Sequence, residues 1–244
     1  MRKFPNDPQV AFEAAFKKDA SSEERHQWLE ALKKSDPENS LPDYLSALDY
    51  FKAGQTDQAV RELISASGKK QFHDYTLDRM QDDEEAYLAA GYSLAEARTI
   101  PVSLPQLRQV KDLGLSLVDL AKSYRQSGDE ASAQAALQMA ANLGQRYKDT
   151  PGETEVSWLT GMAVERIALS AMDPSGPYGS DGQTVQDRLN QLNQKKAELK
   201  QLNAQLEPLL PNLSDQDWIS YKDRWRVFGE ESAIRWVVSK YGQK

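Results

Sequence analysis

The feature that most constrains this 244-residue chain is a spaced set of small and aromatic residues that occurs twice. Ala47, Tyr50, Gly54, Ala59, Leu63 and Ala66 follow one another at steps of three, four, five, four and three, and Ala121, Tyr124, Gly128, Ala133, Leu137 and Ala140 repeat those steps without a slip. Alanine or glycine is needed where two helix backbones approach closely, and a turn glycine accepts the left-handed conformation that ends a helix. The tyrosine and leucine of each set then fill the groove between the pair. The spacing predicts two antiparallel helix hairpins.

Similar openings precede the two sets, Ser40-Leu41-Pro42-Asp43 and Ser103-Leu104-Pro105-Gln106, in which a serine is placed to cap a helix and proline occupies its first turn without loss of a hydrogen bond. The second first-helix is longer than the first by about three turns. With Leu117 and Leu120 ahead of Ala121, the second copy resembles the tetratricopeptide repeat, whereas the first copy has Asp43 and Ser46 where that pattern has a large residue and a leucine. The resemblance covers residues 40–67 and 114–145, under half the chain. The two glycines stand 74 positions apart, close to twice the usual repeat of about 34, and Ala86, Tyr87, Gly91, Ala95 and Ala97 are the remnants of a degenerate hairpin between them.

What the resemblance implies is an all-α fold of stacked antiparallel hairpins, an α-solenoid, whose concave face is lined by the first helix of each pair and binds a protein or peptide. Carried over position by position, that face consists of Tyr44, Leu48, Phe51 and Lys52 in the first unit and Val118, Lys122, Arg125 and Gln126 in the second. Apolar residues beside cations suit an extended segment with a hydrophobic anchor and an acidic group. The lysine and asparagine arrangement that grips a terminal carboxylate in some members of that family is missing, so chaperone-tail binding is not implied. The chain also resembles helical-repeat proteins of bacterial cell envelopes, a likeness that brings no function with it.

The rest of the chain also reads as helical. A short helix over Pro8 to Lys18 precedes the capping box Ser21-Ser22-Glu23-Glu24, which opens a helix through Trp28, Leu29 and Leu32 that ends at Asp36-Pro37. Gly68 to Gln81 is ambiguous, and the acidic run Asp82-Asp83-Glu84-Glu85 is placed to start a helix. Val156 to Met172 reads as a helix buried on most sides, too short to span a bilayer. The turn-forming run Asp173 to Gly182 has neither the lysine nor the preceding strand of a phosphate loop. Beyond it, Val185, Leu189, Leu192, Leu199 and Leu206 make a narrow coiled-coil stripe interrupted by Lys196 and Asn203. Ser214-Asp215-Gln216-Asp217 then caps a last helix carrying Trp218, Tyr221, Trp225, Phe228, Ile234, Trp236, Val237 and Tyr241. No stretch sustains a period of two, so no strand is expected. The organisation expected is a repeat domain over 1–172, a linker over 173–183 and a helical hairpin over 184–244 that docks on the repeats.

Several function classes are disfavoured by composition. A net charge of −7 without a basic block disfavours nucleic acid, and the absence of cysteine removes disulfides, thiolate metal sites and thiol catalysis. His26 and His73 have no metal-competent neighbour at a familiar spacing, so no metal or cofactor is expected. The start, Met1 to Pro8, is basic and proline-broken without an apolar stretch, which points to the cytoplasm or to an envelope protein whose targeting segment was removed. No membrane insertion of the chain is expected. No catalytic motif occurs, although a carboxylate pair assembled by folding, such as Glu165 with an acid from another helix, stays open. The leading expectation is a non-catalytic scaffold. The alternatives are an assembly protein that forms homo-oligomers through residues 184–241 and, behind it, an all-α enzyme.

Overall fold

The computed structural model describes residues 6–149, 154–179 and 182–242. The first five residues and Ser180-Asp181 of the turn-forming run, on which two of the sequence readings partly rest, lie outside these. Among the described residues the fold is all-helical, with α1 Pro8–Ala15, α2 Ser22–Ser35, α3 Leu41–Lys52, α4 Thr56–Gly68, α5 Thr76–Ala89 and α6 Leu94–Thr99. These are followed by α7 Gln106–Gln126, α8 Glu130–Arg146, α9 Glu155–Leu169, α10 Val185–Leu206, α11 Asp215–Phe228 and α12 Glu230–Tyr241. None is long and apolar enough to cross a membrane.

Local chemistry accounts for most boundaries. The Asp7 carboxylate accepts from the Gln9 amide at 2.9 Å, with Pro8 in the first turn of α1. Reciprocal capping boxes start α2 at Ser21 and Glu24, α6 at Ser93 and Glu96, α10 at Thr184 and Asp187, and α11 at Ser214 and Asp217. Neither Ser40 nor Ser103 caps as the sequence suggested. Ser40 Oγ donates instead to the Gln71 carbonyl at 2.8 Å, and α7 begins only at Gln106. Likewise the acidic run 82–85 sits inside α5 rather than at its start, because the helix already begins at Thr76.

The hairpins α3–α4, α5–α6 and α7–α8 turn in one way. Gly54, Gly91 and Gly128 adopt φ of 72°, 93° and 81°, a region costly for side chains with a Cβ. In each turn the amide following the glycine reaches back to a tyrosine carbonyl: Gln55 to Tyr50 at 2.9 Å, Tyr92 to Tyr87 at 3.1 Å and Asp129 to Tyr124 at 2.9 Å. The three tyrosines, 50, 87 and 124, are each 37 positions apart. The middle hairpin is reduced, since its second helix, α6, has only six residues.

The chain divides into two compact units that interleave along it. The first comprises residues 1–75, 105–147 and 160–174, and the second comprises 76–104, 148–159 and 175–244, whereas the sequence suggested a division near residues 172 and 184. In the first unit α3 packs against α2, α4 and α7, and α7 against α8. Leu29, Leu41, Leu45, Leu48, Leu63, Leu113, Leu117 and Leu137 are fully buried there. Each contributes roughly 2 kcal/mol by leaving water. Gly144 and Gly161 let the backbones of α8 and α9 touch, for a Cβ on either would lie within 2.5 Å of the other's carbonyl oxygen. The unexpected Asp43 has a structural role of its own. It is buried, and its carboxylate accepts from Ser65 Oγ at 2.7 Å and Lys69 Nζ at 2.5 Å, which ties the start of α3 to the end of α4.

In the second unit α12 packs on α10 and α11, and α11 on α6. Its core combines Leu202 and Leu206 of α10 with Tyr221, Trp225, Ile234 and Val237 of the last two helices and Met80 of α5. The last helix read from the sequence is broken in two by Gly229, whose φ of 81° and ψ of 161° suit glycine alone. Val185, Leu192, Leu199 and Leu206 of the coiled-coil stripe are buried within the chain, while Lys196 is exposed and Asn203 donates to Glu155 at 2.5 Å.

Candidate binding groove

The eight residues assigned to a concave face divide sharply by exposure. Tyr44, Leu48 and Val118 are buried and belong to the core of the first unit. Phe51 is half-buried beside exposed Lys52 at the end of α3. Exposed Lys122 pairs with Asp119 at 2.8 Å, and half-buried Arg125 pairs with Glu130 while donating to the Ala171 carbonyl at 2.8 Å, with Gln126 exposed beside it. Arg25 links Asp49 of α3 to Gln109 in the first turn of α7. Lys122 and Arg125 stand further along α7, about 20 and 24 Å down its axis from Gln109 at 1.5 Å per residue. No hydrogen bond or ion pair among the described residues joins Phe51 or Lys52 to the α7 set.

A groove of about 700 Å³ lies in the second unit between α10 and α12. Leu202, Gln205 and Leu209 line one wall with Pro208, and Arg235, Val238, Ser239, Tyr241 and Gly242 line the other. Leu202 and Gln205 lie three apart on α10, and Arg235, Val238, Ser239 and Tyr241 lie within two turns of α12, whereas Pro208, Leu209 and Gly242 follow the ends of those helices. Their inward neighbours Leu206, Ile234 and Val237 belong to the core, so the walls are fixed from behind. Tyr241 is fixed as well, since its hydroxyl donates to Asp217 Oδ2 at 2.5 Å. Asp217 also accepts from Ser214 Oγ at 2.5 Å and from the Lys240 ammonium. Hydrogen bonds from Lys240, Ser214 and Tyr241 hold its carboxyl far below the usual range, and the same contacts raise Lys240 and Tyr241.

Arg235 is the charged side chain of the lining, more than half exposed and bonded through Nε and Nη2 to Glu231 at 2.9 and 2.5 Å. Burial pushes Glu231 up, but hydrogen bonds from Arg235 and Lys195 bring it below the ordinary glutamate range. Among the described residues no carboxylate lines the groove. It therefore offers an apolar floor, one cation and hydroxyl or amide groups at its edge.

Glu165 is buried and accepts from Gln145 at 2.8 Å. His26 stacks edge-on against Tyr50 at 5.8 Å, and His73 stacks on Tyr75 at 4.3 Å with its Nδ1 4.0 Å from Asp36. Glu155 is raised by burial against a hydrogen bond from Asn203, with Glu230 and Glu231 nearby adding to the rise. Among the described residues no three of His, Asp or Glu are placed to hold a metal ion. Leu202, Leu209, Arg235 and Val238 were not singled out in the sequence. Their stripe is visible there, but the pairing of α10 with α12 depends on the Gly229 break. Comparison with known families, characterised proteins and solved structures returns no match to this chain.

Proposed function

We propose that this chain is a non-catalytic helical scaffold that binds a protein or peptide segment, and that the α10–α12 groove supplies the contact. The observation that carries the proposal is the composition of the groove: an apolar floor of Leu209 and Val238 backed by the buried Leu202, with Arg235 as its charged lining residue and no lining acid among the described residues. The segment it suits has apolar side chains spaced to one face and an acidic residue opposite Arg235. The repeated hairpin spacing is in keeping with a tetratricopeptide-type scaffold. The α3 and α7 residues are the weaker contact surface, since three of their four apolar members, Tyr44, Leu48 and Val118, have little surface to offer.

The test is selection of a random-peptide library displayed on phage against the purified protein, followed by titration of selected peptides. Peptides enriched in apolar residues plus Asp or Glu are expected, losing affinity at least tenfold against Val238→Glu and Arg235→Glu. A tenfold loss is about 1.4 kcal/mol. Selected peptides that bind both variants as tightly as the parent protein, yet lose binding to Phe51→Glu, would move the site to the end of α3 and sink the groove assignment.

A further inference from the structure

The groove between α10 and α12 has a direction as well as a composition. Lys195 of α10 pairs at 3.0 Å with Glu231, near the start of α12, and Leu202 and Val238, each seven positions further along, both line the groove. The two helices therefore run parallel, and their carboxyl ends, at Leu206 and Tyr241, stand at the same end of the groove. A helix carries about half a negative charge at that end. The last turn of α10 has no basic residue, and Lys240, the cation in the last turn of α12, is bound to Asp217. Exposed Glu207, the first residue after α10, adds a carboxylate there.

Arg235 stands at the other end, about 10 Å before Gly242 along the axis of α12 at 1.5 Å per residue. Its Nε and Nη2 both donate to Glu231 Oε1, and Nη1 has no bond among the described residues. Glu231 is shared with Lys195, which also has Glu198 at 3.9 Å. Arg235 thus keeps a charged donor for an outside carboxylate. The walls decide the conformation of what binds, for both are helices whose main-chain groups are bonded internally, and no strand edge stands among the described residues. An extended segment pressed onto Leu209 and Val238 would take its amides out of water without giving them partners. A helix satisfies its own amides and presents apolar side chains at every third and fourth position.

We infer that the groove takes two turns of an amphipathic α-helix that runs antiparallel to α10 and α12 and carries an acidic residue about seven positions after its amino end. Antiparallel docking puts the positive amino end of the partner beside the carboxyl ends of α10 and α12 and beside Glu207, and brings its acid to Arg235. The reverse docking sets three negative helix ends against one another or against no partner, and places the partner's amino end next to a cation. This docking mode rests on the groove being the contact surface.

Two phage libraries panned against the purified protein separate the docking mode from that reading. One displays a single alanine-rich helix randomised along one face, and the other displays linear segments with a proline at every fourth position, which cannot form a helix. Clones are kept that lose binding to Val238→Glu or to Ser239→Arg, the latter an exposed lining position whose change leaves the core untouched. The helix library is expected to supply them, with affinity falling at least tenfold when a proline is placed at mid-helix. Changing the clone's acid to lysine should abolish binding to the parent protein and restore it to Arg235→Glu. A benzophenone at the amino end of the peptide should crosslink to residues 207–212 or 239–242, and one at its carboxyl end to residues 195–202 or 231–235. Groove-dependent clones from the proline library alone, crosslinks in the reverse order, or no charge-swap rescue overturn the inference and leave the groove as the site. No groove-dependent clone from either library overturns both.

Discussion

Replacing Lys222 with methionine should make the protein more stable at neutral pH. The lysine is almost wholly buried, and its pKa falls from 10.5 to about 8 on folding. At about 1.36 kcal/mol for each pH unit, that fall costs the folded state roughly 3 kcal/mol wherever the amine is charged in both states. The ammonium recovers part of this over the Trp225 ring, at about 0.5–2 kcal/mol. Methionine has a similar length and fills the same space without a charge. The net gain expected is about 1–3 kcal/mol. Its pH dependence fixes the mechanism. The folded pKa lies below the unfolded one, so the unfolded chain binds more protons between pH 8 and 10.5, and the native lysine becomes less costly as pH rises through that window. Urea unfolding of both proteins at pH 7 and at about pH 10.5 should give a variant advantage that is full at the lower pH and nearly gone at the higher. A variant less stable at pH 7, or an advantage independent of pH, would refute the reasoning.

Gly161→Ala should destabilise the first unit by about 1–3 kcal/mol or prevent it from folding, read by thermal unfolding, because the new Cβ would lie 2.4 Å from the Gly144 carbonyl oxygen; a neutral effect would contradict the close α8–α9 approach. Tyr147→Phe should be neutral or slightly stabilising in the same assay, since the buried Tyr147 hydroxyl has no hydrogen-bond partner among the described residues. Tyr75→Phe, which removes bonds at 2.6 Å to Asp36 and 3.3 Å from Asn39, should cost about 1–3 kcal/mol, and equal effects of the two changes would falsify this hydrogen-bond assignment. Asp217→Asn should cost about 1 kcal/mol near neutrality by weakening the α11 cap and the hold on Tyr241. Because Asp217 titrates below its unfolded value, the native carboxylate's contribution is present above about pH 4 and lost in stronger acid. The two proteins should therefore converge in acid denaturation, and a gap that widens with acid would refute the assignment.

The helices were legible in the sequence where local rules determine them. Gly54 and Gly128 punctuate the two hairpins through backbone geometry that needs no tertiary information, and the boxes at Ser21 and Ser214 work the same way. Readings failed where a distant partner competes for a residue. Ser40 is taken by the Gln71 carbonyl, and Glu84 by two arginines from other helices, so neither behaves as its neighbours in sequence suggest. The groove was least legible of all. Leu202 and Val238 make an ordinary apolar stripe until Gly229 turns α12 back beside α10, and a glycine between two helical periods gives little warning of that reversal.

The interleaving of the two units has a consequence for synthesis on the ribosome. Glu84 meets Arg226, which stands 142 positions further along the chain. At about 5–20 residues per second, the chain emerges for roughly 7–28 s after α5 before its partner on α11 exists. Throughout that interval Met80 and its neighbour Leu77 lack the part of their core that Tyr221, Trp225, Ile234 and Val237 supply. A nascent chain stalled before α11 should therefore recruit holding chaperones to α5, and release them only once the last two helices have cleared the exit tunnel.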